Sequence, residues 1–107
     1  REDAAAFLAS ADDVPVGFAA CALRWEYVEG TEQSPAGYLE GIFVAAAFRR
    51  CGAAAGLLRR CEAWAKEKGC AEFASDCELE NEESRLFHAA CGFSEVCRTI
   101  NFAKRLA

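Results

Sequence analysis

The stretch Gly-Ile-Phe-Val-Ala-Ala-Ala-Phe-Arg-Arg-Cys-Gly-Ala-Ala-Ala, Gly41 to Ala55, decides the fold. An apolar run that is typical of a strand breaks at Arg49, Arg50 and Gly52, and a long helical pattern follows. The first N–H groups of that helix have no acceptor within the helix, and beside two arginines they suit a pyrophosphate. Taken alone, Arg-x-x-Gly-x-Ala has only three fixed positions and favours an ordinary strand-loop-helix with a solvated arginine pair.

Upstream of this stretch, the sequence predicts a β-hairpin and a third strand. Ala4 to Ser10 and Val14 to Tyr27 form the two strands of the hairpin, joined by a short turn. Gly30 to Pro35 has the composition of a loop, and Tyr38 to Val44 then resume an apolar strand that is interrupted by Glu40.

Downstream, the period of the apolar residues becomes helical. The pattern predicts a helix over Gly52 to Lys68, with apolar side chains on one face and charged side chains on the other. Gly69 ends this helix. Ala71 to Cys77 predict a short strand, a second helix runs from about Asn81 to Ala90, and Val96 to Ala103 supply the last one or two strands. We therefore predict a mixed α/β sheet with right-handed crossovers, in which residues 44–55 and 76–81 meet at one cleft.

Composition limits the classes of function. The 107 residues form one domain, and no apolar run approaches the ~20 residues of a membrane span. The first residues carry acids where a signal peptide carries a basic region, so we expect a cytoplasmic protein. The net charge of −5 argues against nucleic acid as a partner and would attract a cationic substrate.

The cysteines indicate neither a metal site nor a disulfide framework. They are seven in number, no pair forms Cys-x-x-Cys, and the chain has one histidine. We interpret them as small reduced core residues rather than as a catalytic thiol, because His88 has no evident cysteine partner in sequence.

Several segments together resemble the GCN5-related N-acetyltransferases. The resemblance rests on three features. These are the order of the predicted elements, the motif Arg49-x-x-Gly52-x-Ala54 after an apolar strand, and a second helix that ends in Phe87-His88-Ala89-Ala90-Cys91-Gly92-Phe93. More narrowly, Tyr38-Leu39-Glu40-Gly41-Ile42-Phe43-Val44, Gly69-Cys70-Ala71-Glu72-Phe73-Ala74-Ser75-Asp76 and Phe102-Ala103-Lys104-Arg105 are similar to bacterial aminoglycoside 6'-N-acetyltransferases. The similarity covers nearly the whole chain, and linked segments in the right order are more specific than one motif.

The resemblance implies the acyl-CoA N-acyltransferase fold, with a mixed, mostly antiparallel sheet, a central parallel strand pair and flanking helices. The chain starts at what looks like the family's second strand, so we expect the opening strand and helices that wall the acceptor site to be absent. Two further departures are Cys51, where a basic residue is common, and Ala45-Ala46-Ala47 in place of the usual turn-forming residues.

The resemblance also implies acetyl-CoA as cofactor. Backbone groups of Ile42, Phe43 and Val44 would pair with the pantetheine arm as an added strand does. The pyrophosphate would lie against the loop, and Gly52 would let it approach the amides. The loop residues concerned are Arg49, Arg50, Cys51, Gly52, Ala53, Ala54 and Ala55. Asn81 is a further CoA contact or simply a helix N-cap.

Two residues are candidates for proton transfer. Glu40 is the predicted base. An apolar strand at a cleft would desolvate its carboxylate and raise its affinity for a proton, and the resemblance favours this role over the alternative. The alternative interpretation of Glu40 is a carboxylate that faces outward from a half-buried strand and takes no part in proton transfer. The resemblance places His88 where a tyrosine often protonates the departing thiolate, and its alternative is a structural histidine.

Acidic and aromatic residues are candidates for binding a polycationic amine. Asp76 would bind a substrate ammonium or else cap a helix or turn. The resemblance implies that Glu95 meets the amine, within one chain or across a dimer interface, and its alternative is an exposed acid. Tyr27 would contact a sugar ring or hydroxyl, or else is an edge-strand tyrosine.

The predicted function is acetyl transfer to the 6'-amine of aminoglycoside antibiotics, which confers resistance. One alternative is acetylation of another amine, such as a polyamine or a protein amino group. Another is a non-catalytic acyl-CoA-binding or dimerising module that has lost its acceptor-binding elements. The non-catalytic module predicts an unpaired edge near Ala4 to Ser10 that a partner must cover. A homodimer is expected whether or not the chain is catalytic.

Overall fold

The structure is a computed structural model that describes residues 3–107, and these divide into two compact units that meet in sequence between Asp76 and Cys77. The first unit is a four-stranded sheet with one long helix. In chain order its elements are β1 (Ala4–Ala11), β2 (Val14–Arg24), β3 (Ala36–Val44), a 3-10 turn (Ala46–Phe48), α1 (Ala53–Glu67) and β4 (Phe73–Ala74).

The sheet has the strand order β1-β2-β3-β4, in which the first two pairs are antiparallel and β3 pairs with β4 in parallel. The predicted mixed sheet with a parallel pair is therefore confirmed. Pairing of β3 with β4 is confined to Gly37 with Phe73 and Tyr38 with Ala74. Within the described chain, the edge of β3 that faces away from β2 is consequently unpaired by any strand from Glu40 to Val44.

The core lies between α1 and one face of the sheet. Strand alternation puts Ala19, Cys21 and Leu39 on this face, and all three are buried. The helix meets them with its own apolar stripe, whose buried members are Leu57, Leu58, Cys61 and Ala65. On the opposite face, the rings of Phe18 and Phe43 lie side by side with their centroids 6.2 Å apart, and both remain partly exposed.

A β-bulge interrupts the pairing of β2 with β3. Ala20 is opposite Gly41, but Cys21 is opposite Leu39, so Glu40 is the extra residue of β3. A bulge leaves its extra residue outside the ladder and bends the strand locally. The strand interruption that the sequence shows at Glu40 is thus a change of register.

The second unit, from Cys77 onward, contains α2 (Glu82–Ala90). The last one or two strands predicted over Val96 to Ala103 are wrong, because residues 93–107 form no helix or strand in the structure. Their apolar side chains alternate as in a strand, yet Ile100 is 78% and Phe102 90% exposed. A strand requires a neighbour that takes up its backbone hydrogen bonds, and no described segment pairs with this one.

Some predicted strand ends also differ. β2 ends at Arg24 rather than at Tyr27, and β4 has two residues where Ala71 to Cys77 were predicted. Trp25 and Tyr27 are more than half exposed and lie in the loop before β3. Aromatic residues favour strands only when a neighbouring strand covers them.

The cysteines are free, as predicted, but they are not all core residues. Cys21, Cys61 and Cys70 are buried, whereas Cys51, Cys77 and Cys97 are exposed. Burial raises the pKa of the Cys61 thiol to about 12, so it stays protonated and unreactive. Neither described helix has the length and apolar character that crossing a membrane requires.

Substitution of Gly37 by alanine is expected to lower the free energy of unfolding by about 1–3 kcal/mol. A Cβ at Gly37 would lie 2.6 Å from Cδ1 of Phe73 and 2.7 Å from Cβ of Ala65, so α1 and the sheet would have to separate. Urea unfolding measures the effect. Gly41→Ala is the matched control, because a Cβ there has no neighbour within 4 Å, and equal stability of the two variants would contradict the close approach.

Candidate functional site

The start of α1 presents backbone donors that the helix itself does not use. Gly52 is the N-cap with φ 85°, and it carries no side chain that could cap the helix. The N–H of Gly56 donates to the carbonyl of Gly52 at 2.9 Å, which leaves the amides of Ala53, Ala54 and Ala55 before the first intrahelical bond. Three such amides and the positive end of the helix dipole suit an anion.

The surroundings of this helix start are open and are partly fixed in place. A Cβ added at Gly52 would meet nothing within 4 Å. Arg49 donates from Nε to the carbonyl of Val44 at 2.9 Å, which holds its guanidinium at the end of β3. Cys51 donates from Sγ to the carbonyl of Phe48 at 2.6 Å, and Arg50 is exposed with φ 64°. The loop predicted from Arg49 to Ala55 therefore leaves room for a phosphate against bare amides.

A cluster of four polar residues lies on the face of the sheet opposite α1. Arg24 donates to both carboxylate oxygens of Glu40, at 3.0 Å from Nε to Oε2 and 3.0 Å from Nη2 to Oε1. The Arg24 guanidinium also lies 3.9 Å from the ring centroid of Tyr38, whose hydroxyl donates to Asp76. The structure thus brings together Glu40 and Asp76, two of the three carboxylates predicted to meet an amine.

The carboxylate of Glu40 is not desolvated as the sequence suggested. Its side chain is 39% exposed, and that of Arg24 is 43% exposed. The reason is the bulge, which turns Glu40 out of the ladder toward solvent. An ion pair this exposed stabilises the fold by about 0.2–1 kcal/mol at most, so it can open and close readily.

The hydroxyl of Tyr38 has a strongly shifted ionisation. Burial, together with the hydrogen bond to Asp76 and its negative charge, raises the pKa of Tyr38 from 10.0 to about 12. Because the folded-state pKa lies above the unfolded one, this group stabilises the fold fully below about pH 10. The contribution disappears as the pH rises through about 12.

An alkaline titration checks this ionisation. The tyrosinate absorbance that is lost in Tyr38→Phe is expected to have a midpoint near pH 12. Asp76→Asn removes the neighbouring charge and should move that midpoint toward the ordinary value. A midpoint near 10 for Tyr38 in the unmutated chain would contradict the buried hydroxyl-carboxylate contact.

The remaining candidates belong in part to the first unit and in part to the second. Tyr27 is 74% exposed in the loop before β3. In the second unit, Asn81 is the N-cap of α2 and accepts from the Ser84 amide at 3.0 Å. Glu95 pairs with Arg98, and the hydrogen bond from that guanidinium lowers the pKa of Glu95.

His88 contacts several residues of the second unit. Its Nδ1 lies 2.7 Å from the carbonyl oxygen of Ser84, and a carbonyl can only accept, so Nδ1 carries the proton. The imidazole also packs edge-on against Phe87 and Phe93, with centroids 5.9 and 5.1 Å away. These contacts fix the orientation of the ring.

Arg24 and Tyr38 are the site residues that sequence reasoning missed. Strand alternation places Tyr38 two residues before Glu40, on the same side of β3, and this was a readable signal. Arg24 carried no such signal, because its distance to Glu40 depends on the β2–β3 register and on the bulge.

Residues 1–93 match the family described as the acetyltransferase (GNAT) family. The chain belongs to this family. The resemblance to this family implied that CoA binds two backbone features, which are the helix start at Gly52 and the open edge of β3.

Characterised relatives of this GNAT chain include two bacterial enzymes. It is 44% identical over 99 residues to aminoglycoside N(6')-acetyltransferase type 1 of Acinetobacter haemolyticus, covering 92% of this chain and 68% of that protein. It is 49% identical over 84 residues to the enzyme of the same name from Acinetobacter baumannii, covering 78% of this chain and 58% of that protein. The chain thus spans only part of the length of these relatives.

A solved structure confirms the GNAT fold. The structure of AAC(6')-Iy in complex with the bisubstrate analog CoA-S-monomethyl-acetylneamine superposes with a TM-score of 0.94 at 43% identity. The match covers 99% of this chain and 72% of that one.

Proposed function

We propose that this GNAT chain transfers the acetyl group of acetyl-CoA to the 6'-amine of an aminoglycoside. The observation that carries the proposal is the layout of β3. This one strand carries a carboxylate at its bulge, then an unpaired backbone edge, and leads through a short loop to the bare amides of α1. The aminoglycoside N(6')-acetyltransferases at 44% and 49% identity support the choice of acceptor.

The residues present fit CoA. The amides of Ala53 to Ala55 and the space in front of Gly52 suit the pyrophosphate, with Arg49 and Arg50 beside them. The open edge of β3 at Ile42, Phe43 and Val44 suits the amides of the pantetheine arm. When bound, acetyl-CoA supplies an acetyl group activated as a thioester. Asn81 is retained as a proposed CoA contact.

The carboxylates serve the acceptor. An amine with ordinary basicity is protonated at neutral pH and must lose a proton before it attacks. We assign that proton to Glu40, directly or through a water, because its exposed carboxylate can exchange protons with solvent. Asp76 would bind a second ammonium, and Tyr27 and Glu95 are proposed as further acceptor contacts.

His88 is proposed to protonate the thiolate that CoA becomes when the thioester bond breaks. Its Nδ1 proton is engaged by the Ser84 carbonyl, so the proton delivered would have to come from Nε2. The role therefore requires the imidazolium form before each transfer.

We further propose that the protein acts as a homodimer in the cytoplasm. In the sheet formed by residues 3–107, the eight-residue β1 lies at one edge and exposes Leu8, and a second copy would cover this edge. Light scattering at several concentrations tests the dimer, and a monomer at all of them would contradict it.

A turnover assay tests the proposed function. The protein is mixed with acetyl-CoA and, in turn, kanamycin, spermidine and a basic peptide, and the loss of thioester absorbance is followed. This readout avoids thiol reagents, which would react with the exposed Cys51, Cys77 and Cys97. Acetylation of kanamycin at the 6'-amine supports the proposal. CoA binding without transfer to any amine would instead favour a non-catalytic acyl-CoA-binding module.

A further inference from the structure

We infer that Arg24 is a built-in competitor for the acceptor site, occupying Glu40 until a cationic substrate displaces it. The inference rests on the proposed function, because it concerns the carboxylate assigned to the substrate amine. It makes Arg24 a residue that sets the affinity for amines, although nothing in the sequence pointed to it.

The geometry of the ion pair leaves no oxygen of Glu40 without a cationic donor. Nη2 of Arg24 lies 3.0 Å from Oε1 and 2.9 Å from Oε2, and Nε lies 3.0 Å from Oε2. These three contacts use most of the roughly four acceptor sites of the carboxylate, and the positive charge of the guanidinium repels an ammonium that approaches the same oxygens. Binding of the amine and pairing with Arg24 are therefore in competition.

The guanidinium also has a second support that does not depend on Glu40. It lies 3.9 Å from the centroid of the Tyr38 ring, and that ring is buried and held through its hydroxyl by Asp76. A cation is attracted to the face of an aromatic ring, so Arg24 can remain over Tyr38 while it releases the carboxylate. Because both partners are about two fifths exposed, water can take over the contacts that open.

The competition predicts that removing the positive charge of Arg24 strengthens amine binding. Kanamycin is titrated into the protein saturated with CoA, and calorimetry gives the Kd. Arg24→Gln is expected to lower the Kd about two- to fivefold, the factor that corresponds to losing one exposed competing ion pair. Arg24→Lys keeps the positive charge but loses the paired N–H donors of the guanidinium. Its Kd should lie between that of the unmutated chain and that of Arg24→Gln.

Two controls separate competition from other effects of the substitution. Arg59→Gln removes the same charge from an exposed position on α1, and it should change the Kd much less than Arg24→Gln does. In a chain that already carries Glu40→Gln, adding Arg24→Gln should not lower the Kd for kanamycin, because the carboxylate for which Arg24 competes is gone.

Each outcome decides the matter. An unchanged or higher Kd in Arg24→Gln would overturn the inference and make Arg24 a structural support. So would an equal decrease in Kd on Arg24→Gln in the chain with Glu40 and in the Glu40→Gln chain. If the unmutated chain acetylates kanamycin, such a result leaves the proposed function intact. If the unmutated chain neither binds nor acetylates any amine, the proposed function fails and the inference fails with it.

Discussion

Glu40→Gln is expected to lower the rate of acetyl transfer by about 10²–10⁴-fold, the usual contribution of a positioned base. Glutamine keeps the size of the side chain and a carbonyl acceptor, but it cannot take a proton from the substrate ammonium at neutral pH. The affinity for CoA should stay unchanged, since the amides at the start of α1 lie elsewhere on the chain.

Stability should change little in this variant. The ion pair with Arg24 is exposed, so its loss is worth about 1 kcal/mol or less. Glu67→Gln provides a matched control, because it makes the same chemical change at an exposed position at the end of α1 and should leave the rate unaltered. A Glu40→Gln variant that turns over as fast as the Glu67→Gln variant would remove Glu40 from the proposed mechanism.

Gly52→Ala is expected to weaken CoA binding by about 10- to 100-fold. A Cβ at Gly52 projects into the open space in front of the helix start, where it would hold the pyrophosphate away from the amides. Loss of one hydrogen bond to a charged group is worth about 1.5–3 kcal/mol, which corresponds to that range of affinity. Calorimetric titration with CoA measures the effect.

The backbone at Gly52 adds a second effect that needs a control. Its φ of 85° is left-handed, so alanine also introduces strain of about 1–2 kcal/mol into the folded chain. Gly69→Ala carries the same kind of strain, with φ 91° and no neighbour within 4 Å of the added Cβ, at the opposite end of α1. Both variants should lose stability, and only Gly52→Ala should lose CoA affinity. Equal CoA affinities in the two would contradict the role given to the loop.

Features fixed by local chemistry could be predicted from the sequence. The amphipathic period and the stop at Gly69 placed α1 within two residues of its observed bounds, and the acids after Asn81 did the same for α2. The helix start at Gly52 was predictable for the same reason, since a glycine between two arginines and an alanine run acts on its immediate neighbours.

Features that depend on pairing between distant segments could not be predicted. The bulge at Glu40 follows from the register of β2 against β3, and one extra residue there decides that the carboxylate faces solvent and Arg24. The alternation from Val96 to Ala103 is compatible with a strand, but the pattern alone does not provide the neighbour that a strand needs.

Amide chemical shifts on titration with CoA show whether the start of α1 holds the pyrophosphate. We expect the largest shift changes at the amides of residues 51–55, with smaller ones at residues 42–44 on the open edge of β3. Pantetheine, which lacks the pyrophosphate, should move only the β3 amides. CoA binding that leaves the amides of residues 51–55 unmoved, or that matches pantetheine residue for residue, would contradict the account.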